Sequence, residues 1–246
     1  MSPPDHADVI AALKRAEKMR IDFVANVSHE LRTPLTSIKG YTETLLQDLE
    51  DGRKPDPEFL RIILKNSNRL LALINDLLDL SAIESGADEL HLADLDLQEI
   101  THHALQGLQL SAENKKSVLK TEILTSTLHA DPKRVEQVIT NLADNAIKYC
   151  PPGSTITIQW SKDASDNAVV LKVLDNGPGI PEKYLERLFE RFYRVDKGRS
   201  RDSGGTGLGL SIVKHIMQRH DGSVTVESTL GWGTTFICRF PGHCIG

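Results

Sequence analysis

The stretch Phe23-Val24-Ala25-Asn26-Val27-Ser28-His29-Glu30-Leu31-Arg32-Thr33-Pro34-Leu35 decides how the first third of the chain reads. Val24, Leu31, Ile38 and Leu45 recur every seven residues, and Val27 and Tyr41 follow members of that set by three. This is the apolar a/d stripe of a helix that packs in a coiled coil or bundle. With Val24 at a, His29 takes position f, away from the seam, and Thr33 shares its face at i+4. Pro34 takes d, where it removes a backbone donor and is expected to bend the helix. Taken alone, a histidine on a wet helix face is an ordinary surface residue.

The pattern extends over residues 7–49, and at ~1.5 Å per residue such a helix is roughly 65 Å long. Gly52, Pro55 and Pro57 then punctuate the chain. A second helix is expected over 58–84, with Ile63, Leu70 and Leu77 repeating by seven and Leu60, Ser67, Ile74 and Ser81 interleaved. Ser85-Gly86 supplies its stop. Two long helices and a short loop make an antiparallel hairpin. One hairpin leaves much of so broad an apolar surface uncovered, so a homodimer forming a four-helix bundle is expected.

From Asp88 the pattern changes to short strands mixed with helices. Strands are expected over 89–92, 118–123, 154–161, 168–174, 223–227 and 234–240, and helices over 97–112 and 208–219. Asp131-Pro132 reads as an N-cap with proline at the first helical position, opening the helix that carries Asn141 and Asn145. Pro181 opens a short helix. Strands and helices so mixed give an α/β sandwich.

Composition sets bounds on partners and compartment. A net charge of −5 gives no reason to expect nucleic acid. Cys150, Cys238 and Cys244 lack metal spacing, and so sparse and odd a count points to a reducing, cytoplasmic setting. No apolar run of 18 residues and no signal peptide are visible. His29-Glu30-Leu31-Arg32-Thr33 is not a zinc motif, because Thr33 stands where a second histidine is needed.

Three further segments carry chemistry. Asn141 and Asn145 leave one helix face, with Lys148 and Tyr149 about one turn on. An amide oxygen is a hard neutral ligand suited to Mg²⁺, and a lysine is a point charge for phosphate. Asp175 ends an apolar strand ahead of Asn176-Gly177-Pro178-Gly179. Its carboxylate can accept from an amino group such as that of adenine, while Asp-Asn-Gly is equally a turn sequence. Gly205-Thr206-Gly207-Leu208-Gly209 precedes a helix, where backbone amides bind phosphate. It is neither a P-loop nor a dinucleotide fingerprint. Lys197, Arg199 and Arg201 lie between these motifs and read equally as a solvated loop or as phosphate attraction. The polar segment 194–207 is expected to be a lid that orders over a nucleotide.

Together these blocks resemble the sensor histidine kinases of two-component systems, in the class that includes the phosphate- and osmolarity-sensing enzymes. The first stretch resembles the H box and 141–149 the N box. Residues 175–179 and 205–209 resemble the two glycine boxes, Phe189-Glu190-Arg191-Phe192-Tyr193-Arg194 the F box, and Gly231-Trp232-Gly233-Thr234 a third glycine box. The second part is similar to the ATP-binding superfamily of gyrase, Hsp90 and MutL. The resemblance implies a dimerisation and phosphotransfer domain over 1–87, then an ATP-binding α/β sandwich of the Hsp90-like type over 88–246.

It also implies Mg·ATP as phosphoryl donor, with transfer to Nε2 of His29 and onward to an aspartate of a response regulator. Glu30 partners the other ring nitrogen, Asn145 holds Mg²⁺, Asp175 reads adenine, and Lys148 and Arg194 meet phosphates. Asn141, Tyr149, Gly177, Gly179, Gly205, Gly207, Leu208 and Gly209 complete the expected nucleotide site. Thr33 resembles the residue that orients water for dephosphorylating the regulator. Two other readings stand beside this one: an ATP-driven clamp and a regulator-binding scaffold without turnover. With no membrane span, the chain is expected to be either the catalytic part of a membrane receptor or a kinase that senses through other proteins.

Overall fold

The protein is described here from a computed structural model, which describes residues 6–85, 89–195 and 205–242. The chain divides into two compact units, Met1–Asn75 and Asp76–Gly246. Gly86, the expected boundary at 87/88, the basic part of the expected lid (Lys197, Arg199, Arg201) and Cys244 lie outside the described residues.

In the first unit, α1 (His6–Glu50) runs without interruption through Pro34, and α2 (Pro57–Ser85) returns from the turn at Gly52, its residues from Asp76 on belonging to the second unit. Asp56 starts α2 by accepting from the Glu58 amide at 2.8 Å, which satisfies one of the donors a helix start leaves open. Arg53 pairs with Asp48 at 2.9 Å, and the Tyr41 and Phe59 rings meet at 5.2 Å, closing the turn end of the hairpin. Pro34 and Leu45 are buried at the expected d and a positions, whereas Val24 is 56% exposed.

The stripe on α2 differs from the expected one. Ile63 and Leu70 hold their places half-buried, but the partner series is Asn66 and Leu73, with Leu73 only 2% exposed. Leu60 and Ile74 of the expected stripe are exposed within the single chain. Leucines crowd more than one face of α2, so spacing alone allowed two choices of stripe. The outer choice, with Leu64 and Leu71, remains exposed alongside Ile21, Val24, Leu46 and Leu49 of α1.

After the end of α2 the second unit continues with β1 (Ala93–Asp96), paired antiparallel to β3 (Thr127–Ala130) with Leu95 opposite Leu128. The strand thus begins after the expected 89–92 segment, where the His91 amide instead bonds the Asp131 carboxylate at 2.9 Å. A four-residue strand such as β3 has too little alternation to be read from sequence. Asp96 caps α3 (Leu97–Gln106) by accepting from the amides of Gln98 and Glu99. The expected single helix over 97–112 is two, since the chain breaks at Gly107 before α4 (Gln109–Asn114).

β2 (Val118–Ile123), β4 (Thr155–Lys162), β5 (Val169–Asp175), β7 (Gly233–Phe240) and β6 (Ser223–Thr229) form one sheet in that spatial order. Only the β2–β4 pair is parallel. α5 (Pro132–Tyr149) lies between α3 and α6 (Gly209–Arg219) as a second layer over the sheet. Alternate strand residues face it: Ile156, Ile158 and Trp160 of β4, and Phe236, Cys238 and Phe240 of β7, are all buried. Trp160 Nε1 donates to Thr101 Oγ1 at 2.9 Å, so the largest core side chain keeps its one donor satisfied. Leaving that donor unpaired would cost ~1–3 kcal/mol.

The start of α5 is held by a buried cluster. Asp131 accepts from the Arg134 amide at 3.0 Å, and its own amide donates to His220 Nε2 at 3.2 Å. His220 Nδ1 faces the Ile216 carbonyl at 2.9 Å, so the ring spans the ends of two helices as a neutral imidazole. Burial holds the His220 pKa below the ordinary histidine range, against the opposing pull of the Ile216 carbonyl and Asp131. The unfolded chain therefore binds the proton first as pH falls. The stabilisation is complete above about pH 6.5 and is lost below it, by at most ~1.4 kcal/mol per pH unit. Thermal unfolding of wild type and His220→Gln between pH 5 and 8 should show a steeper acid loss in the wild type. Parallel curves would remove His220 from the account.

Candidate functional site

The first group of expected site residues belongs to α1. His29 is 64% exposed by side chain, on the face the heptad assigned to solvent. Its Nδ1 stands 3.8 Å from Glu30 Oε1, and the Glu30 side chain is only 18% exposed. The other Glu30 oxygen accepts from Arg69 Nη2 of α2 at 2.9 Å, a partner that sequence spacing did not suggest. Thr33 is half-buried rather than exposed, and its hydroxyl donates to the His29 carbonyl at 3.2 Å. That bond uses the hydroxyl proton and leaves the oxygen able to accept.

The residues expected to meet a nucleotide belong to the second unit. α5 buries Val135, Val138, Ile139, Leu142, Ala146 and Ile147, and this apolar stripe turns Asn141, Asn145 and Lys148 onto the opposite face. Asn141 Nδ2 is buried with no hydrogen-bond partner among the described residues. An orphaned buried donor costs stability and so points to a group that arrives later. Lys148 is paired with Asp144 at 2.6 Å, a neighbour on the helix to which the sequence reading gave no role.

Asp175 lies at the end of β5, and its Oδ1 accepts from the amides of Gly177 at 2.8 Å and Thr234 at 3.3 Å. The carboxylate is thereby fixed at the mouth of the sheet by two strands' ends. Gly179 has φ +69, and a Cβ there would stand 2.2 Å from the Thr229 carbonyl oxygen, so only glycine fits this turn. The Gly231 amide donates to the Pro178 carbonyl at 2.8 Å, which ties the first glycine segment to the third. Cys150 packs in the same corner. Burial, then the Asp175 charge, pushes its thiol up to about 12, which leaves it an unreactive packing group.

The second glycine segment gathers against the amide face of α5. Arg194 donates through Nη2 to the Gly205 carbonyl, and the Phe192 amide bonds the Gly207 carbonyl at 2.8 Å. Gly207 has φ +78, and a Cβ there would sit tightly, 3.0 Å from Phe192 Cα and 3.2 Å from Arg194 Nε. Tyr149 OH is 3.0 Å from the Cβ position of Gly205, and Asn141 Oδ1 is 3.6 Å from that of Gly209. Leu208 is fully buried and anchors the loop, so α6 starts at Gly209 with its first amides beside Asn141.

The expected residues Asn141, Asn145, Lys148, Tyr149, Asp175, Gly177, Gly179, Arg194, Gly205, Gly207, Leu208 and Gly209 thus all belong to one unit, and His29, Glu30 and Thr33 to the other. The donor set suits a purine nucleotide with phosphates: a fixed carboxylate, glycine turns and neutral amides. Among the described residues no group of three or more His, Cys, Asp or Glu could hold a metal by itself. One amide oxygen suits a magnesium ion whose other ligands are phosphates and water.

Comparison with known proteins finds two domain families along the chain. Residues 19–86 match the His Kinase A (phospho-acceptor) domain. Residues 130–243 match the histidine kinase-, DNA gyrase B- and HSP90-like ATPase. The chain is 35% identical over 228 residues to the sensor protein kinase WalK of Staphylococcus epidermidis, covering 93% of this chain and 37% of that protein. It therefore spans less than two fifths of the length of this curated relative. Histidine kinase ThkA in complex with response regulator protein TrrA superposes with a TM-score of 0.71 at 25% identity, over 98% of this chain and 68% of that one. Full-length ShkA in complex with AMPPNP gives 0.65 at 27% identity, over 89% of this chain and 45% of that one. With a phospho-acceptor hairpin and an ATPase-type sandwich in this order, the chain belongs to the sensor histidine kinases, of which it carries the catalytic core.

Proposed function

We propose that this chain is a protein-histidine kinase that uses ATP to phosphorylate its own His29 and passes the phosphoryl group to an aspartate of a response regulator. The observation that carries the proposal is His29 itself: a largely exposed imidazole with a carboxylate at Nδ1, in the same chain as a glycine-rich site built for a nucleotide. The Nε2 lone pair attacks the γ-phosphorus, the bond to the bridging oxygen breaks, and ADP leaves with those electrons. Glu30 takes up the charge that develops on the ring through Nδ1. Asp175 accepts from the adenine amino group, and the segment 205–209 meets phosphates with backbone amides. Asn145 holds Mg²⁺ when it is bound, and the ion offsets charge on the phosphates. Lys148 and Arg194 add fixed positive charge where the transition state spreads negative charge over oxygens.

The AMPPNP bound by ShkA and the regulator bound by ThkA support ATP as donor and a receiver domain as acceptor. We assign the chain to the cytoplasm, where ATP and regulators are found. No described helix is long and apolar enough to cross a membrane. Incubation with γ-labelled ATP and Mg²⁺ should put acid-labile, alkali-stable phosphate on the protein, and adding receiver domains should draw it off. ATP turnover with no phosphohistidine would favour a clamp.

The exposed leucines of α1 and α2 call for a second copy. Each fully covered leucine is worth ~1.5–3 kcal/mol, and among the described residues the hairpin exposes Ile21, Val24, Leu35, Leu46, Leu49, Leu60, Leu64, Leu71, Ile74 and Leu78 by more than 40% each. Light scattering on the chain at micromolar concentration should report twice its 27.2 kDa mass, as a four-helix bundle requires. A stable monomer would leave that face unexplained.

Thr33→Ala should keep autophosphorylation within about threefold and lose roughly tenfold or more of the dephosphorylation of the regulator. The Thr33 oxygen, with its proton bonded to the His29 carbonyl, can accept from the water that attacks an aspartyl phosphate. Loss of phosphate from purified phospho-regulator is the measurement. Wild-type rates, or equal losses of both activities, would reduce Thr33 to a packing role beside Pro34.

A further inference from the structure

Glu30 stands between two basic groups on two different helices. Its Oε2 accepts from Arg69 Nη2 at 2.9 Å, while its Oε1 stands 3.8 Å from His29 Nδ1. The Arg69 and Glu30 side chains are 11% and 18% exposed, against 64% for His29. The contact between His29 and Glu30 is long and lies at the surface. Alone it would hold the carboxylate poorly, because an exposed pair of this length gains little. The contact with Arg69 is short and sheltered, and a charge-assisted bond of that kind fixes geometry. A carboxylate whose one oxygen is pinned on a guanidinium presents the other in a set direction.

We propose that Arg69 is a positioning residue for phosphorylation of His29. From the second helix it holds Glu30 turned toward Nδ1, so that Nδ1 carries the ring proton and Nε2 the lone pair. As Nε2 bonds to phosphorus and ADP departs, the ring gains positive charge, and the Nδ1 proton is shared with the carboxylate already facing it. The imidazole is thereby tied to α2 as well as to its own helix. A movement of α2 that draws Arg69 away turns Glu30 from the ring and slows the transfer. This rests on the reading of His29 as the acceptor and Glu30 as its partner.

The test uses the full chain with labelled ATP and with ¹⁵N-histidine for ring signals. Arg69→Met should lower the rate at saturating ATP about tenfold while KM for ATP stays within about twofold, since only the orientation of an acid–base group is lost. Arg69→Lys, which keeps a charge in reach, should recover to within about threefold of wild type. Arg69→Met added to Glu30→Gln should cost nothing further, because both act on one contact. The ring of His29 should report the Nδ1–H tautomer in the wild type and a mixture in Arg69→Met.

An Arg69→Met rate equal to wild type would overturn the proposal. So would a loss that multiplies fully with that of Glu30→Gln. A wild-type ring found mainly as Nε2–H overturns it without any variant, even if Arg69→Met fails to fold. If Glu30→Gln itself phosphorylates at the wild-type rate, the reading of Glu30 fails and the proposal falls with it. An intact Glu30 effect with no Arg69 effect removes the proposal alone.

Discussion

His29→Gln should abolish phosphohistidine formation, a loss of more than about a thousandfold, while ATP affinity stays within about twofold. Glutamine keeps the polarity and approximate reach of the side chain but offers no nucleophilic ring nitrogen. His29 belongs to the first unit and every residue proposed for the nucleotide to the second, so the substitution changes none of the latter. Two measurements decide it: incorporation of labelled phosphate, and calorimetric binding of a non-hydrolysable ATP analogue. Acid-labile, alkali-stable label remaining on the variant would place the acceptor elsewhere. Loss of nucleotide affinity would place His29 in the nucleotide site.

Asp175→Ala should weaken ATP binding about 30- to 100-fold, equivalent to ~2–3 kcal/mol, and erase most of the preference for ATP over GTP. The size follows from a double loss. The carboxylate offers an acceptor to the base, and its Oδ1 also anchors the amides of Gly177 and Thr234. Asp175→Asn separates the two roles. Its amide oxygen can still take the two backbone amides, while its NH₂ repels the adenine amino group, so discrimination should fall more than the fold's stability. Asn145→Ala should instead remove the part of the affinity that depends on Mg²⁺ and leave metal-free binding close to wild type. Titrations of ATP and GTP with and without Mg²⁺ resolve the cases. Unchanged affinity in both the Asp175 and Asn145 variants would end the assignment of this face as the nucleotide site.

Much of this architecture is legible in the chain because its signals are local and periodic. The seven-residue spacing of Leu31, Ile38 and Leu45 marks α1 to within a residue or two, and Asp131-Pro132 sets the start of α5. The strand over 118–123 is read to the residue, since β-branched and apolar positions are bounded by turns. Gly179 and Gly207 declare positive-φ turns that no other residue fills without strain. Periodicity fails where two choices satisfy it equally. On α2 the leucines allow two stripes, and only packing selects Leu73 over Ile74. A glycine inside an otherwise helical run, such as Gly107, cannot announce whether the helix breaks there.

The sequence by itself determined the hairpin followed by a sandwich and the long helix with His29 on its wet face, and it supplied the amide, carboxylate and glycine positions proposed for the nucleotide. Each of those depends on neighbours within a few residues, or on motifs whose order along the chain carries the meaning. What only the tertiary structure decided are the contacts between residues far apart in the chain. Arg69 reaches Glu30 across 39 residues, the Thr234 amide joins Asp175 across 59, and His220 holds Asp131 across 89. No spacing rule reports such pairs, because they exist only when hydrophobic burial has brought separate elements together and left each polar group to find a partner or remain unpaired.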